Sequence, residues 1–215
     1  MALKIVAISD THSYHRKISV PDGDVLVFAG DITWKGELDI IADFVNWLRE
    51  LPHKHKCVIF GNHELGFQHG FKRIPAINMI KEAGAHYLED SGVEIEGKLF
   101  WGSPWQPWFH DWEWNLPRGE KLAKRWAMIP KETNVLLCHG PPFGIGSLDL
   151  LDSGERVGCE ELTKRIKTLP ELELFVCGHI HSGYSKHIEN NVTFVNAASC
   201  DEQYNPINPP IIVDL

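Results

Sequence analysis

A chain of 215 residues, 43% hydrophobic and 23% charged, has ordinary globular proportions and is long enough for one domain with a sizeable core. Its 21 Lys and Arg against 29 Asp and Glu give a formal net charge of −8. That argues against a broad basic face tracking nucleic-acid backbone, while allowing a nucleotide in a local positive site. No apolar run approaches the ~18 residues of a membrane span, and MALKIVAISDTH enters a strand-like run without a secretory leader. A cytoplasmic location with no membrane association is expected.

In chain order, short apolar runs alternate with helical patterns. Leu3 to Ile8 and Val25 to Ala29 read as strands; Leu38, Ile41, Phe44, Val45 and Leu48 then form an amphipathic helical stripe stopped by Pro52. Cys57 to Phe60 is a third strand. Ile77 to Ala83 reads as a helix ended by Gly84, and Val93 to Ile95 and Leu99 to Trp101 as short strands. A helix over Pro117 to Met128 precedes the strand Val135 to Cys138. The helix Gly158 to Leu169 precedes Leu174 to Cys177, and short strands at His187 to Glu189, Thr193 to Val195 and Ile211 to Val213 close the chain with a hairpin-like alternation. The long runs are β-branched or aromatic without alternation, as in strands buried on both faces. The pattern predicts a single α/β domain over 1–215, layered rather than barrel-like. The five cysteines are odd in number and form no CxxC pair; Cys57, Cys138 and Cys177, in apolar runs, read as buried free thiols of a reducing compartment.

Five of these strands lead into polar turns: SDTH, GDIT, GNHE, CHGPP and GHIH. Ligands of open α/β sheets sit beyond the carboxyl ends of strands. There the turns offer Asp10 and His12, Asp31, Asn62 and His63, His139, then His179 and His181. Imidazole, carboxylate and amide without sulfur is the donor set of Mn, Fe, Co or Zn. Two metals about 3.5–4 Å apart need a bridging carboxylate and several terminal ligands, a number that Asp10 and Asp31 with the five neutral donors would supply. Two divalent ions, two carboxylates and a hydroxide leave a net charge of about +1, which suits an anionic substrate. Singly, Asp10 and Asp31 could be turn or cap residues, Asn62 a left-handed turn position and His139 a structural histidine. Their recurrence at five successive strand ends favours a common site.

These five motifs, in this order, resemble the signatures of the calcineurin-like metallophosphoesterase superfamily. The stretches SPWQPWFHDWEWNLPRG, GHIHSGY and NPINPPIIVDL extend the likeness to the smaller family of metallophosphoesterase-domain-containing proteins, over nearly the whole chain. The resemblance implies a layered sandwich of two mixed β-sheets flanked by α-helices. It also implies two divalent metals, Mn²⁺ first and Fe, Co, Zn or Ni as others. One would be held by Asp10, His12, Asp31 and His181, the other by Asp31, Asn62, His139 and His179, with Ile180 turned back into the protein. Some animal members carry Gly where this chain has His179, so a complete dinuclear centre is expected here. A hydroxide bridging the metals would attack phosphorus in line while His63 protonates or stabilises the leaving group.

Protein phosphatases of that superfamily place an Arg after GD and another beside GNHE; this chain has Trp34 and Lys35 at the first position and no adjacent Arg at the second. Without that fork a dianionic monoester is less well held than a diester. A phosphodiesterase is expected, with a 2′,3′- or 3′,5′-cyclic nucleotide as first candidate. A nuclease, a phosphomonoesterase and a non-catalytic scaffold are the alternatives. WGSPWQPWFHDWEW could stack a base through Trp105, Trp108 and Phe109, or fold onto a small core of its own. Arg118 and Arg156 could reach a phosphate or serve the surface. Asp149 and Asp152 are given no chemistry, nor are His15, His53, His55, His69, His86, His110 and His187.

Overall fold

Each long apolar run becomes a strand whose residues alternate between two cores, which is why the runs themselves do not alternate with polar residues. The computed structural model describes residues 2–215. Strands β1 (Lys4–Ile8), β2 (Val25–Ala29), β3 (His55–Ile59) and β4 (His86–Tyr87) run parallel in that order in one sheet. The second sheet contains β5 (Ser91–Ile95), β6 (Lys98–Ser103), β9 (Thr133–Cys138), β10 (Leu174–Cys177), β11 (Ser185–Glu189) and β12 (Val192–Asn196). Its order is β11-β12-β10-β9-β6-β5, with a parallel centre and an antiparallel hairpin at each edge. Between them in sequence, β7 (Gln106–Pro107) and β8 (Asn115–Leu116) form a small parallel pair.

Ile5, Ala7, Val25, Val27, Cys57 and Ile59 of the first sheet share one buried core with Phe100, Val135, Leu137, Leu174 and Val176 of the second. The intervening residues belong to the other core: Val6, Ile8, Leu26 and Phe28, and on the second sheet Leu136, Cys138, Phe175 and Cys177. That core is completed by α1 (Leu38–Glu50), α2 (Arg73–Glu82), α3 (Glu120–Trp126) and α4 (Glu160–Ile166). Phe44 of α1 meets Phe28 edge-on at 4.8 Å between centroids. Trp126 of α3 donates its indole N–H to Cys159 at the head of α4, at 3.3 Å. The result is two mixed sheets flanked by helices, as expected. All five cysteines are buried and free, and no helix among the described residues is long and apolar enough to cross a membrane.

Three expectations change. α2 begins at Arg73, four residues before Ile77, because Pro75 lies in the first turn where its missing N–H costs nothing. α3 begins at Glu120 rather than Pro117, since Gly119 at φ +83° interrupts the helical path just before it. The last strand, β13 (Ile211–Asp214), does not close a hairpin; it pairs antiparallel with β1, Lys4 opposite Asp214, and edges the first sheet.

Phe100 is fully buried between the sheets. We expect Phe100→Ala to lower unfolding free energy by about 3–5 kcal/mol in urea titration, whereas Ile188→Ala, at a side chain 65% exposed on an edge strand, should stay within about 0.5 kcal/mol.

Candidate metal centre

The turns after β1, β2, β3, β9 and β10 meet at one end of the sandwich. There Ser9 donates its N–H to Ala197, Asp10 to Gly30 and Gly178 to His139, at 2.9, 3.0 and 3.0 Å, so the edges of both sheets are tied together. Four chemistry-bearing residues in these turns are left-handed: Asp10 (φ 51°), His12 (42°), Asp31 (56°) and His179 (66°). Such backbone costs on the order of 1–3 kcal/mol per residue unless its surroundings impose it. Here hydrogen bonds impose it. The N–H of His179 donates to both carboxylate oxygens of Asp10 at 3.0 Å, and that of His63 to Oδ1 of Asp31 at 2.8 Å. His12 N–H donates to the Asp31 carbonyl at 3.1 Å. The turn glycines are required by close approach: a Cβ on Gly178 would collide with the Asp10 carboxylate, and one on Gly61 with that of Asp31.

The imidazoles are oriented from behind. His139, His181 and His63 each donate Nδ1–H to a backbone carbonyl, of Ala29, Asp201 and Trp34, at 2.8, 2.8 and 2.9 Å. A carbonyl only accepts, so the Nδ1 proton is fixed and Nε2 faces inward with its lone pair. Those Nε2 atoms face other acceptors. That of His139 lies 2.8 Å from Asn62 Oδ1 and 3.3 Å from Asp31 Oδ2; that of His181 lies 3.5 Å from Asp10 Oδ1. Acceptors facing acceptors at these distances repel unless a proton or a cation sits between them. The set therefore fits divalent metal. Ligand atoms lie within 4.8 Å of one another in three groups: Asp10, His12 and His181; Asp31, His139 and His179; and His12, Asp31 and His63. Asp31 belongs to two of them. Asn62 is buried beside them, 2.8 Å from His139 Nε2.

Burial disfavours charge throughout this cluster, yet its two carboxylates stay ionised. For Asp10, burial is outweighed by the hydrogen bond from His181 and the His139 charge, and for Asp31 by the charges of His139 and His63; both lie below the usual carboxylate range. Reciprocally, burial is overcome at His139 by Asp31 and at His181 by Asp10, and each rises to about 9. His12 and His179 are pushed down by burial to about 4 and about 3. Without metal, protons on His139 and His181 do the work of the cation.

Over the centre lies a cleft of about 480 Å³ whose walls include Trp108, Phe109, Trp112, Leu151, Ile180 and Tyr204. Of the three aromatic residues expected at substrate, Trp108 and Phe109 line this cleft, 59% and 48% exposed. Trp105 does not: it is buried, donates its indole N–H to Asp90 at 2.8 Å, meets Trp114 edge-on and carries Arg125 over its ring. Part of the tryptophan stretch thus folds into a core, through Trp105 and Trp114, while Trp108 and Phe109 stand on the cleft wall. Ile180 is buried, as expected, but also lines the cleft. Arg118 lines it too, with its guanidinium donating to Val157 and Gly158 carbonyls and to Glu160. Arg156 is bound to the buried Asp149 instead.

Three neighbours of the centre were not legible as such. Trp112 meets the His63 ring edge-on at 4.1 Å. Tyr204, itself at φ 60°, stands edge-on to His12 and His181 at 4.8 and 5.1 Å. Glu64, fully buried, accepts from the turns that bear Asp31 and Asn62; burial and the Asp31 charge push it up to about 8 against those donors. Only Glu64 had a signal, its place in GNHE.

The model of the calcineurin-like phosphoesterase family matches residues 3–183. Human metallophosphoesterase domain-containing protein 1 is 40% identical over 99% of this chain and 71% of its own. A Caenorhabditis elegans UPF0046 protein is 38% identical over 98% of this chain and 74% of its own. Among solved structures, TT1561 of Thermus thermophilus superposes with a TM-score of 0.62, covering 100% of this chain and 99% of that one; at 14% identity this likeness concerns the fold. With the family match spanning most of its length, the chain belongs to the calcineurin-like phosphoesterases, and metal-dependent hydrolysis of a phosphoric ester is its reaction class.

Proposed function

We propose that this protein hydrolyses a phosphodiester, with a 2′,3′- or 3′,5′-cyclic nucleotide as first natural candidate, at a centre of two divalent metals. Asp10, His12, Asp31 and His181 would hold one and Asp31, Asn62, His139 and His179 the other, with Asp31 shared. Its membership of two of the three ligand groups supports that sharing. Bound there, divalent cations supply Lewis-acid charge and a nucleophile at neutral pH. The protein's own part is to fix the carboxylates by backbone donors and to exclude bulk water with the aromatic wall. His63, held by the Trp34 carbonyl through Nδ1–H, presents Nε2 to a leaving oxygen, which it would serve as acid or hydrogen-bond donor in the imidazolium form.

One observation supports a diester over a monoester. Arg118 is the one Lys or Arg among the described residues lining the cleft, and three of its five N–H donors are taken by Glu160 and two carbonyls. A dianionic terminal phosphate would find no second Lys or Arg lining the cleft to complete a clamp. Trp108 and Phe109, exposed on the wall, suit a base stacked beside the phosphate.

With Mn²⁺ restored to chelator-stripped protein, turnover of bis(p-nitrophenyl) phosphate is expected to exceed that of p-nitrophenyl phosphate, followed by hydrolysis within a cyclic-nucleotide panel. Equal or faster monoester turnover would overturn the diester reading. Asp31→Ala should lose metal and activity together. His63→Ala should lose about 10²–10⁴-fold in rate while metal content holds; loss of metal there would reassign His63 as a ligand.

Proton and metal compete for the same imidazoles, which fixes the sign of two pH dependences. His139 and His181 have folded values raised to about 9. They contribute stability to the metal-free protein that is full below about 6.5 and lost as pH rises through about 9. Metal must displace those protons, so Mn²⁺ affinity should rise over the same window, by up to about tenfold per pH unit for each proton released. Calorimetric titration and metal-free melting between pH 6.5 and 9 should move in opposite directions. A flat affinity profile would show that those protons are not displaced.

A further inference from the structure

Glu64 is a member of none of the three ligand groups, yet it is fully buried and engages four donors. Its Oε2 accepts the N–H of Gly61 at 2.7 Å and of Asp31 at 3.2 Å; its Oε1 accepts the N–H of Thr33 at 3.0 Å and lies 3.2 Å from the Thr33 hydroxyl. Two turns from different strands are thus gathered onto one carboxyl group. The link is reciprocal. Asp31 Oδ1 accepts the His63 N–H at 2.8 Å while Glu64, one residue on, accepts the Asp31 N–H. With Oδ1 committed, Oδ2 is the oxygen left facing inward, 3.3 Å from His139 Nε2 and 4.0 Å from the Nε2 atoms of His12 and His63.

We propose that Glu64 is the positioning residue of the metal centre: by holding the backbone of Asp31 in its left-handed conformation against the GNHE turn, it fixes which carboxylate oxygen faces metal. This role rests on the metal-centre reading above. It concerns orientation rather than bulk, and this distinguishes it from a packing role. Both oxygens of Glu64 receive a backbone N–H, so an amide of the same shape must set its NH₂ against an N–H donor whichever way it is turned. Filling the space is not sufficient; two acceptors are required. Groups standing behind metal ligands in this way commonly govern affinity by about 10–100-fold.

The test is Mn²⁺ binding by calorimetry to chelator-stripped wild type and Glu64→Gln, beside melting of both metal-free proteins. The expected result is a folded E64Q protein that binds Mn²⁺ about 10–100-fold more weakly. Affinity equal to wild type overturns the inference, and so does a lowered metal-free melting point with unchanged affinity, the outcome of a packing role. Should E64Q not fold, Thr33→Val serves instead: it keeps the backbone donors and removes the hydroxyl on Oε1, and is expected to weaken Mn²⁺ binding several-fold. No change in that variant overturns the inference. Failure of wild type to bind Mn²⁺ would overturn the metal-centre reading itself; equal binding by both proteins would overturn only the role of Glu64.

Discussion

Everything at the working end of this molecule depends on one electrostatic constraint: acceptors are buried facing acceptors. Asp10, Asp31 and the inward nitrogens of His139 and His181 lie a few ångströms apart with little water to separate them. Burying such a set without compensation costs several kcal/mol per charge. The fold lowers that cost locally with backbone N–H donors: that of His179 is shared by both carboxylate oxygens of Asp10, and that of His63 reaches Asp31. These donors orient the carboxylates without neutralising them. What remains is a demand for positive charge, which protons meet in the metal-free protein and divalent ions meet better because one ion serves several acceptors at once.

The sandwich makes that arrangement tolerable. Strands buried on both faces are held by two cores, so their carboxyl ends are fixed points from which strained turns can project. Left-handed Asp10, His12, Asp31 and His179 would be costly on a mobile loop. On strand ends tied across both sheets they are over-determined. The centre also draws on both sheets, Asp10, Asp31 and Asn62 from one and His139, His179 and His181 from the other, so its geometry reports how the sheets pack.

This explains which parts were legible in the sequence. Strand ends followed by Asp, His and Asn were visible because both signals are local: a β-branched run, then residues that cannot continue it. Relations between distant residues were less visible. β13 looked like half of a hairpin because its pattern is local while its partner, β1, lies at the opposite end of the chain. Trp105 and Trp108 have similar surroundings in sequence, Pro on one side and aromatic residues nearby. Only the position of Asp90 and Arg125, brought from other elements, takes Trp105 into the interior. Glu64 lay within a recognised motif, but its function is written in the acceptors it provides to Asp31 and Thr33 across the sheet, not in its neighbours.

The tryptophan stretch ties the cleft wall and the GNHE turn into one unit. Glu113 accepts the N–H groups of Gly66 and Gln68, just beyond GNHE, while the Gln68 side chain accepts the Trp114 N–H. Asn115 clamps the carbonyls of Phe109, His110 and Trp112, so the turn that exposes Phe109 to the cleft is the one that sets Trp112 against His63. Anything that moves the wall must therefore also move the support of His63. Such coupling limits how far the wall can vary independently of the chemistry. It also gives a physical reason for the division within the stretch: Trp105 and Trp114 are buried as its anchor so that Trp108, Phe109 and Trp112 can stand at the cleft.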